Sequence, residues 1–387
     1  MMKNCFVLFI VVSISLSAQS IPLNPKSFTP KNVNINYTDS LFTIIWDSVP
    51  SVDLYYIYSK NDLNGISNLI DSTTTNKWTG NCIENCQFFE VSSSVPEAPQ
   101  GFVFIKGDTF QMGDNFAEGD SDELPVHLVK VSGFYMSETK VTQKEWTDIM
   151  GSNPAYGSGV GDNYPVYKVN WYQLLKYCNL RSIADGLTPC YTILDSTDPA
   201  DWGAVPSSYF NIYWDAVTCD WDADGYRLPT EAEWELAARG GLSGQRFPNG
   251  ETISQDATGD NQANYYSYWE WGIPYFSYDV NPTEGYPQGY YRTTTPVKTY
   301  PPNGFGLYDM SGNVFDLCWD LYGSDYYTVC SEQGTVIEPK GPESSSFHVG
   351  RGGFWDYHAD DNRVANRYYF VAFNIYGNAG FRVVRSH

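Results

Sequence analysis

Apolar and polar residues alternate along the first quarter of the chain, and helical spacing replaces the alternation further on. Val33, Ile35 and Tyr37 stand between polar neighbours. Phe42-Thr43-Ile44-Ile45-Trp46 and Leu54-Tyr55-Tyr56-Ile57-Tyr58 follow as strand-like runs separated by turn residues. Residues 21–97 are therefore expected to form a small all-β sandwich acting as a spacer. Ser92-Ser93-Ser94-Val95-Pro96-Glu97-Ala98-Pro99 reads as a linker. Beyond it, three helix starts carry a physical signature. Thr142-Gln143-Lys144-Glu145 is a capping box, in which the two end side chains satisfy each other's free backbone N–H, and Gly151 stops the helix. Asn170 with Gln173 caps the run of Trp171, Leu174, Leu175 and Cys178. Thr230 with Glu233 opens a third helix, closed by Gly240-Gly241. The stretches between are rich in Gly, Asn and aromatics without regular period. Residues 98–387 are thus expected to be an α+β domain with much irregular structure.

The amino terminus adds a compartment. Met1-Met2-Lys3-Asn4, the apolar residues 5–16 and Ser17-Ala18-Gln19-Ser20 form the pattern of a signal peptide over residues 1–20. No apolar run reaches the roughly 20 residues that a membrane-spanning helix needs. The protein is expected to be secreted or held at the cell surface. Forty-five acidic against 23 basic residues give a net charge of −22. Such a surface repels phosphate backbones and anionic headgroups, which argues against nucleic-acid partners and membrane insertion. Export permits disulfides. Proximity favours Cys82–Cys86, Cys190–Cys219 and Cys318–Cys330, with Cys178 left as a buried, inert thiol; spacing alone does not fix the pairing.

A series of motifs narrows the fold. Gly107-Asp108-Thr109-Phe110-Gln111-Met112-Gly113 comes first, then Glu123-Leu124-Pro125-Val126-His127 and Glu138-Thr139-Lys140-Val141-Thr142. Tyr226-Arg227-Leu228-Pro229-Thr230-Glu231-Ala232-Glu233-Trp234-Glu235 and Asn303-Gly304-Phe305-Gly306-Leu307-Tyr308-Asp309-Met310-Ser311-Gly312-Asn313-Val314 follow. Arg351-Gly352-Gly353-Phe354-Trp355 and Gly380-Phe381-Arg382 close the series. In this order they resemble the formylglycine-generating enzyme (sulfatase-modifying factor) family over residues 100–387. The resemblance implies a C-type-lectin-like fold. Residues 21–97, with a Trp in the second strand and a Tyr-rich third, loosely resemble a fibronectin type III module.

The family's enzymes oxidise a sulfatase cysteine to formylglycine with two cysteines that hold copper, and soft thiolates suit Cu(I). The matching positions here are Tyr357 and Asn362, so copper chemistry is not expected. His127, His348, His358 and His387 show no ligand spacing, and His127 reads as structural. Calcium is expected instead, by resemblance to a family segment, at Asn313, Val314 and Asp316. A further family site would use Asn264 of Ala263-Asn264, with its acid missing near Gly289. Asp220, Asp222, Asp224, Gly225 and Glu231 satisfy the EF-hand spacing, yet Pro229 and the Thr230 cap fall inside the loop, which disfavours it.

Residues 356–378 enclose Tyr-, Asp-, Phe- and Asn-rich positions in a fixed frame that includes Arg363-Val364-Ala365-Asn366-Arg367. They resemble the variable region of target proteins of diversity-generating retroelements, where adenine randomisation never yields Lys, Glu, Gln, Met or Trp. Those five types account for 58 of the 387 residues and for none between 356 and 378. Chance alone would do this about 2% of the time. Tyr and Phe give large contact area at small entropic cost, and Asp and Asn give adaptable polar contacts. The expected ligand-binding positions begin with Asp356, Tyr357, His358, Asp360 and Asp361. Tyr368, Tyr369, Phe370, Phe373, Asn374, Tyr376 and Asn378 complete them. The expected partner is an extracellular protein or glycan; the rival expectation is an oxidoreductase of the formylglycine-generating class.

Overall fold

The computed structural model describes residues 98–253, 262–267 and 293–386 with their side chains, and outside them the backbone of eight strands. The chain divides into two compact units, Met1–Glu97 and Ala98–His387. In the first, β1 (Asn34–Thr38), β2 (Leu41–Ile45) and β5 (Lys77–Asn81) pair in the antiparallel order β1-β2-β5. β3 (Tyr55–Lys60), β4 (Asn68–Thr73) and β6 (Phe88–Ser92) form a second sheet, β4-β3-β6. The first three strands coincide with the three alternating runs. Residues 1–20, most of the linker, and Cys82 and Cys86 lie outside the described residues.

The second unit wraps small sheets around helices. β7 (Phe102–Ile105), β10 (Phe134–Ser137) and β20 (Val384–Ser386) join the two ends of this unit in the order β20-β10-β7. β8 (Asp108–Met112), β9 (His127–Val131) and β16 (Thr335–Ile337) form a second sheet. β11 (Tyr191–Thr192) pairs with β12 (Thr218–Cys219), and β13 (Trp269–Glu270) with β14 (Ile273–Pro274). The sheet that carries the variable-type segment has the order β18-β17-β15-β19. It consists of β15 (Phe315–Leu321), β17 (His348–Arg351), β18 (Arg367–Phe370) and β19 (Ala379–Gly380).

The three capping signatures give helices α1 (Gln143–Met150), α2 (Trp171–Ala184) and, further on, α4 (Glu231–Ala238). Each cap is reciprocal, and Gly151 adopts the left-handed φ of 82° that stops α1. The shorter α3 (Ile212–Asp215) and α5 (Tyr326–Glu332) complete the described helices. α2 lies against β15, where the Trp171 indole donates to the Cys318 carbonyl at 2.9 Å, and Trp146 of α1 stacks on Tyr177 of α2 at 5.4 Å and meets the edge of Phe381. α4 fills a second core with Val129, Met136, Leu307, Val349 and Val364.

Cys190, Cys219, Cys318 and Cys330 are free thiols, so neither the Cys190–Cys219 nor the Cys318–Cys330 pair expected from proximity forms. In the β11–β12 ladder Cys219 faces Tyr191, and the Asp220 amide donates to the Cys190 carbonyl at 2.8 Å. The two cysteines are one position out of register, which turns their side chains to opposite faces. Cys318 sits in β15 with its sulfur 3.9 Å from the Asp316 carbonyl, while Cys330 meets the Tyr326 phenol from α5. Cys178 is fully buried, and burial pushes its thiol well up, in keeping with an inert role.

Candidate functional site

The segment after β17 is held by arginines. Arg351 ends β17, and Gly352 and Gly353 follow with φ of 88° and 71°. Neither tolerates a side chain: a Cβ on Gly352 would lie 2.8 Å from the Met310 carbonyl, and one on Gly353 would collide with Asn362 Oδ1. The double turn sends Phe354 and Trp355 inward and leaves 356–362 as a tight loop. Asn362 closes that loop, its amide donating to the carbonyls of Tyr357 (3.2 Å) and His358 (2.6 Å). Arg351 then reaches under the next stretch and donates to the carbonyls of Val364 (2.8 Å), Ala365 (2.8 Å) and Asn366 (2.9 Å), and to Glu235 of α4. Arg363 grips Glu123 with two bonds of 2.7 and 2.8 Å, and Arg367 grips Glu231 at 2.7 and 3.0 Å. All of these partners are buried. A buried ion pair adds little stability over an apolar one, but it is directional, so it fixes the path of the backbone.

The interleaved side chains point elsewhere. β18 pairs with β17 in the register Arg351↔Arg367, Gly350↔Tyr368, Val349↔Tyr369 and His348↔Phe370. Tyr369 is 48% exposed and packs on Tyr322 and Phe347. Tyr368 and Tyr357 are half-buried around Phe315, and the half-exposed Phe373 meets Phe210 edge-on at 4.8 Å. Asp356, His358, Asp360, Asp361, Tyr376 and Asn378 are part-exposed, and Asn374 is exposed. One expected position is overturned. Phe370 is 1% exposed, wedged against Phe315 and Tyr376 and over Gly350, so it belongs to the core. The strand period explains it: Tyr369 and Phe370 are neighbours and must face opposite ways.

Asp361 is held up to about 6, first by burial and then by the charge of Asp360. Its ordinary value is 3.8, so the folded state binds its proton more tightly than the unfolded state does. Ionised Asp361 therefore lowers stability above pH 6, and the cost disappears as pH falls through 6 towards 4. Asp361→Asn is expected to stabilise the protein by about 1–2 kcal/mol at pH 8 and to leave it unchanged near pH 4. Urea titrations at the two pH values check this; equal gains at both would trace the effect to packing.

Sequence reasoning missed the neighbouring groove of about 370 Å³, lined by Tyr156, Tyr167, Lys168, Phe354, Trp355 and Asn378. Tyr156 is 70% exposed, and the Lys168 ammonium lies 2.8 Å from its ring centre. These residues come from an irregular stretch without period, so only the fold could bring them to Trp355.

The residues of the metal expectations have protein partners in the fold. Tyr357 and Asn362, at the family's cysteine positions, present a phenol and an amide that is already hydrogen-bonded to two carbonyls. Burial pushes the Tyr357 phenol up, further raised by Tyr368, so it stays protonated. This donor set does not fit Cu(I). Asn313, Val314 and Asp316 are buried, and among the described residues Asp316 Oδ1 has no hydrogen-bond partner. Asp316 Oδ2 accepts from Arg382 (2.9 Å) and Trp234 (3.0 Å) and forms an ion pair with Lys140 (2.9 Å), and Asn313 is tied to Thr295 through both ends of its amide. Asn264 donates to the Thr293 carbonyl while its buried Oδ1 has no hydrogen-bond partner among the described residues; Gly289 lies outside them. The EF-hand spacing is explained without metal, since Asp224 accepts from the Thr188 amide and Glu231 is buried between Arg351 and Arg367. His127 is buried, with Nδ1 3.1 Å from the Pro125 carbonyl and its ring against Tyr327.

Comparison with known proteins places this geometry. A family model described as "Sulfatase-modifying factor enzyme 1-like domain" matches residues 88–387. The chaperone protein LppX of Paenibacillus barcinonensis is 35% identical over 67% of this chain and 82% of its own. The formylglycine-generating enzyme of Streptomyces coelicolor is 30% identical over 74% and 90%. Among solved structures, Treponema denticola variable protein 1 superposes with a TM-score of 0.59 at 32% identity, covering 74% of this chain and 95% of that one.

Proposed function

Because this chain belongs to the sulfatase-modifying factor enzyme 1-like family, and shares its scaffold with a variable protein, we propose that it is a secreted ligand-binding protein without oxidase activity. Its binding surface is the diversified face of residues 356–378. One observation carries the reading: within that segment, side chains divide into buried frame and exposed payload. Arg363, Val364 and Arg367 are locked into the interior, while Tyr369 and Asn374 are exposed and Tyr357, Asp361 and Phe373 part-exposed. A rigid backbone that carries replaceable aromatics and acids suits recognition, because anchors already in place lose little entropy on binding. Asp361 supports it further, since a carboxyl that lowers stability when ionised needs another reason to be there. The partner class is an extracellular protein or glycan.

The rival is formylglycine generation, and it is tested directly. Full-length protein loaded with Cu(I) is incubated with oxygen and a Cys-containing sulfatase peptide, and aldehyde is read by mass spectrometry. No turnover above the copper-only control is expected, because Tyr357 and Asn362 supply no thiolate. Formylglycine above that control would overturn the non-enzymatic reading.

A further inference from the structure

A second groove, of about 570 Å³, opens on the far half of the β15–β17 pair and takes only Ala372 from the variable-type segment. Its volume is that of a small-molecule site. One wall is aromatic and braced. Trp319 is part-exposed, stacked on Tyr191 at 5.4 Å and met edge-on by Trp221 at 5.7 Å. Phe210 is 46% exposed beside it. The floor is Trp171, stacked on the buried His348 at 3.7 Å. Burial depresses His348 to about 4, so this base is neutral at ordinary pH.

The opposite wall is polar and mixed in sign. It runs from Lys340 through Glu343 to the hydroxyls of Ser344, Ser345 and Ser346, and Asp215 enters from α3. The Tyr172 hydroxyl donates to Asp215, fixing the carboxylate, and the Lys340 ammonium sits 4.0 Å over the Trp221 ring. One cation faces two carboxylates, so the wall is net negative and disfavours anionic ligands. Carboxylates only accept, the ammonium only donates, and serine hydroxyls do both. A ligand that satisfies all three needs many groups able to donate and accept, and an apolar face for the aromatic wall. A pyranose ring has both: ring C–H bonds on one face and hydroxyls around the rim.

We propose that the groove between Trp319 and the Lys340–Ser346 segment is a fixed binding site for a neutral saccharide, adjoining the variable surface only where Phe210 meets Phe373 and at Ala372. Two ligand sites would then sit on one scaffold, one constant and one variable.

Tryptophan fluorescence of the full chain, with Trp319 and Trp171 as reporters, tests it against cellotriose, maltotriose and tri-N-acetylchitotriose. Saturable binding of at least one is expected. Lys340→Ala combined with Glu343→Ala should weaken it about tenfold or more without changing the melting temperature, since both side chains are exposed. Tyr369→Ala should leave it unchanged. No saturable response to any of the three sugars would overturn the proposal. So would binding that survives the double variant, binding lost in Tyr369→Ala, or tighter binding of adenosine than of any sugar.

Discussion

Arg351→Met is expected to destabilise the protein by about 3–5 kcal/mol, the largest loss from any single frame residue. Arg351 is fully buried and donates to three consecutive carbonyls, those of Val364, Ala365 and Asn366, as well as to Glu235. Methionine keeps much of the volume but donates nothing, so those carbonyls lose their partner where water does not reach. Glu235 fares better, because Arg239 and the Gly113 amide still bond it at 2.6 and 2.9 Å. Arg246→Met supplies the contrast. Arg246 pairs with Glu118 at 2.6 Å, but both side chains are about a quarter exposed, and such pairs contribute no more than about 1 kcal/mol. Urea unfolding of the two variants should separate them clearly. If Arg351→Met lost less than about 1 kcal/mol, the carbonyls would have to find other donors, and the view of Arg351 as the pin of the segment would fail.

The second large effect falls between two adjacent residues. Phe370→Ala should cost about 3–5 kcal/mol, as buried phenylalanines do. Its ring packs on Phe315 at 5.3 Å and on Tyr376 at 4.8 Å and lies directly over Gly350. Tyr369→Ala should cost no more than about 1 kcal/mol, the worth of its exposed stacking on Tyr368 and Tyr322. Against a partner recovered with the wild-type protein, the same Tyr369→Ala change should weaken binding at least about tenfold, because exposed aromatic anchors dominate such interfaces. Melting curves and partner affinities on the same two proteins decide it. Unchanged affinity in Tyr369→Ala, together with a large stability loss, would return the aromatic run to the core.

Much of the architecture is legible in the order of residues along the chain. The capping boxes at Thr142, Asn170 and Thr230 mark the starts of α1, α2 and α4 because a cap is satisfied within four residues of chain. Period-two alternation locates β1 to β3 for the same local reason. The motif series points to the family, and the composition of 356–378 marks a segment whose side chains mostly do reach the surface.

What the sequence does not carry depends on partners far along the chain. Phe370 can be told from Tyr369 only once β18 has docked on β17 and its register is set, since both are aromatic and one step apart. Cys190 and Cys219 are suited to pairing by separation alone, and a one-residue offset in their ladder keeps them apart. Asp316 is paired with Lys140 and Arg382, both distant from it in sequence. The Trp319 groove has no local signature, because its walls come from α2, α3, β15 and a loop that meet only in space. Local hydrogen bonding and side-chain period are properties of a few consecutive residues, so the sequence by itself determined α1, α2 and α4 with their caps and the strands β1 to β3. Register, ion pairing and cavities depend on distant segments meeting, and the tertiary structure alone decided them.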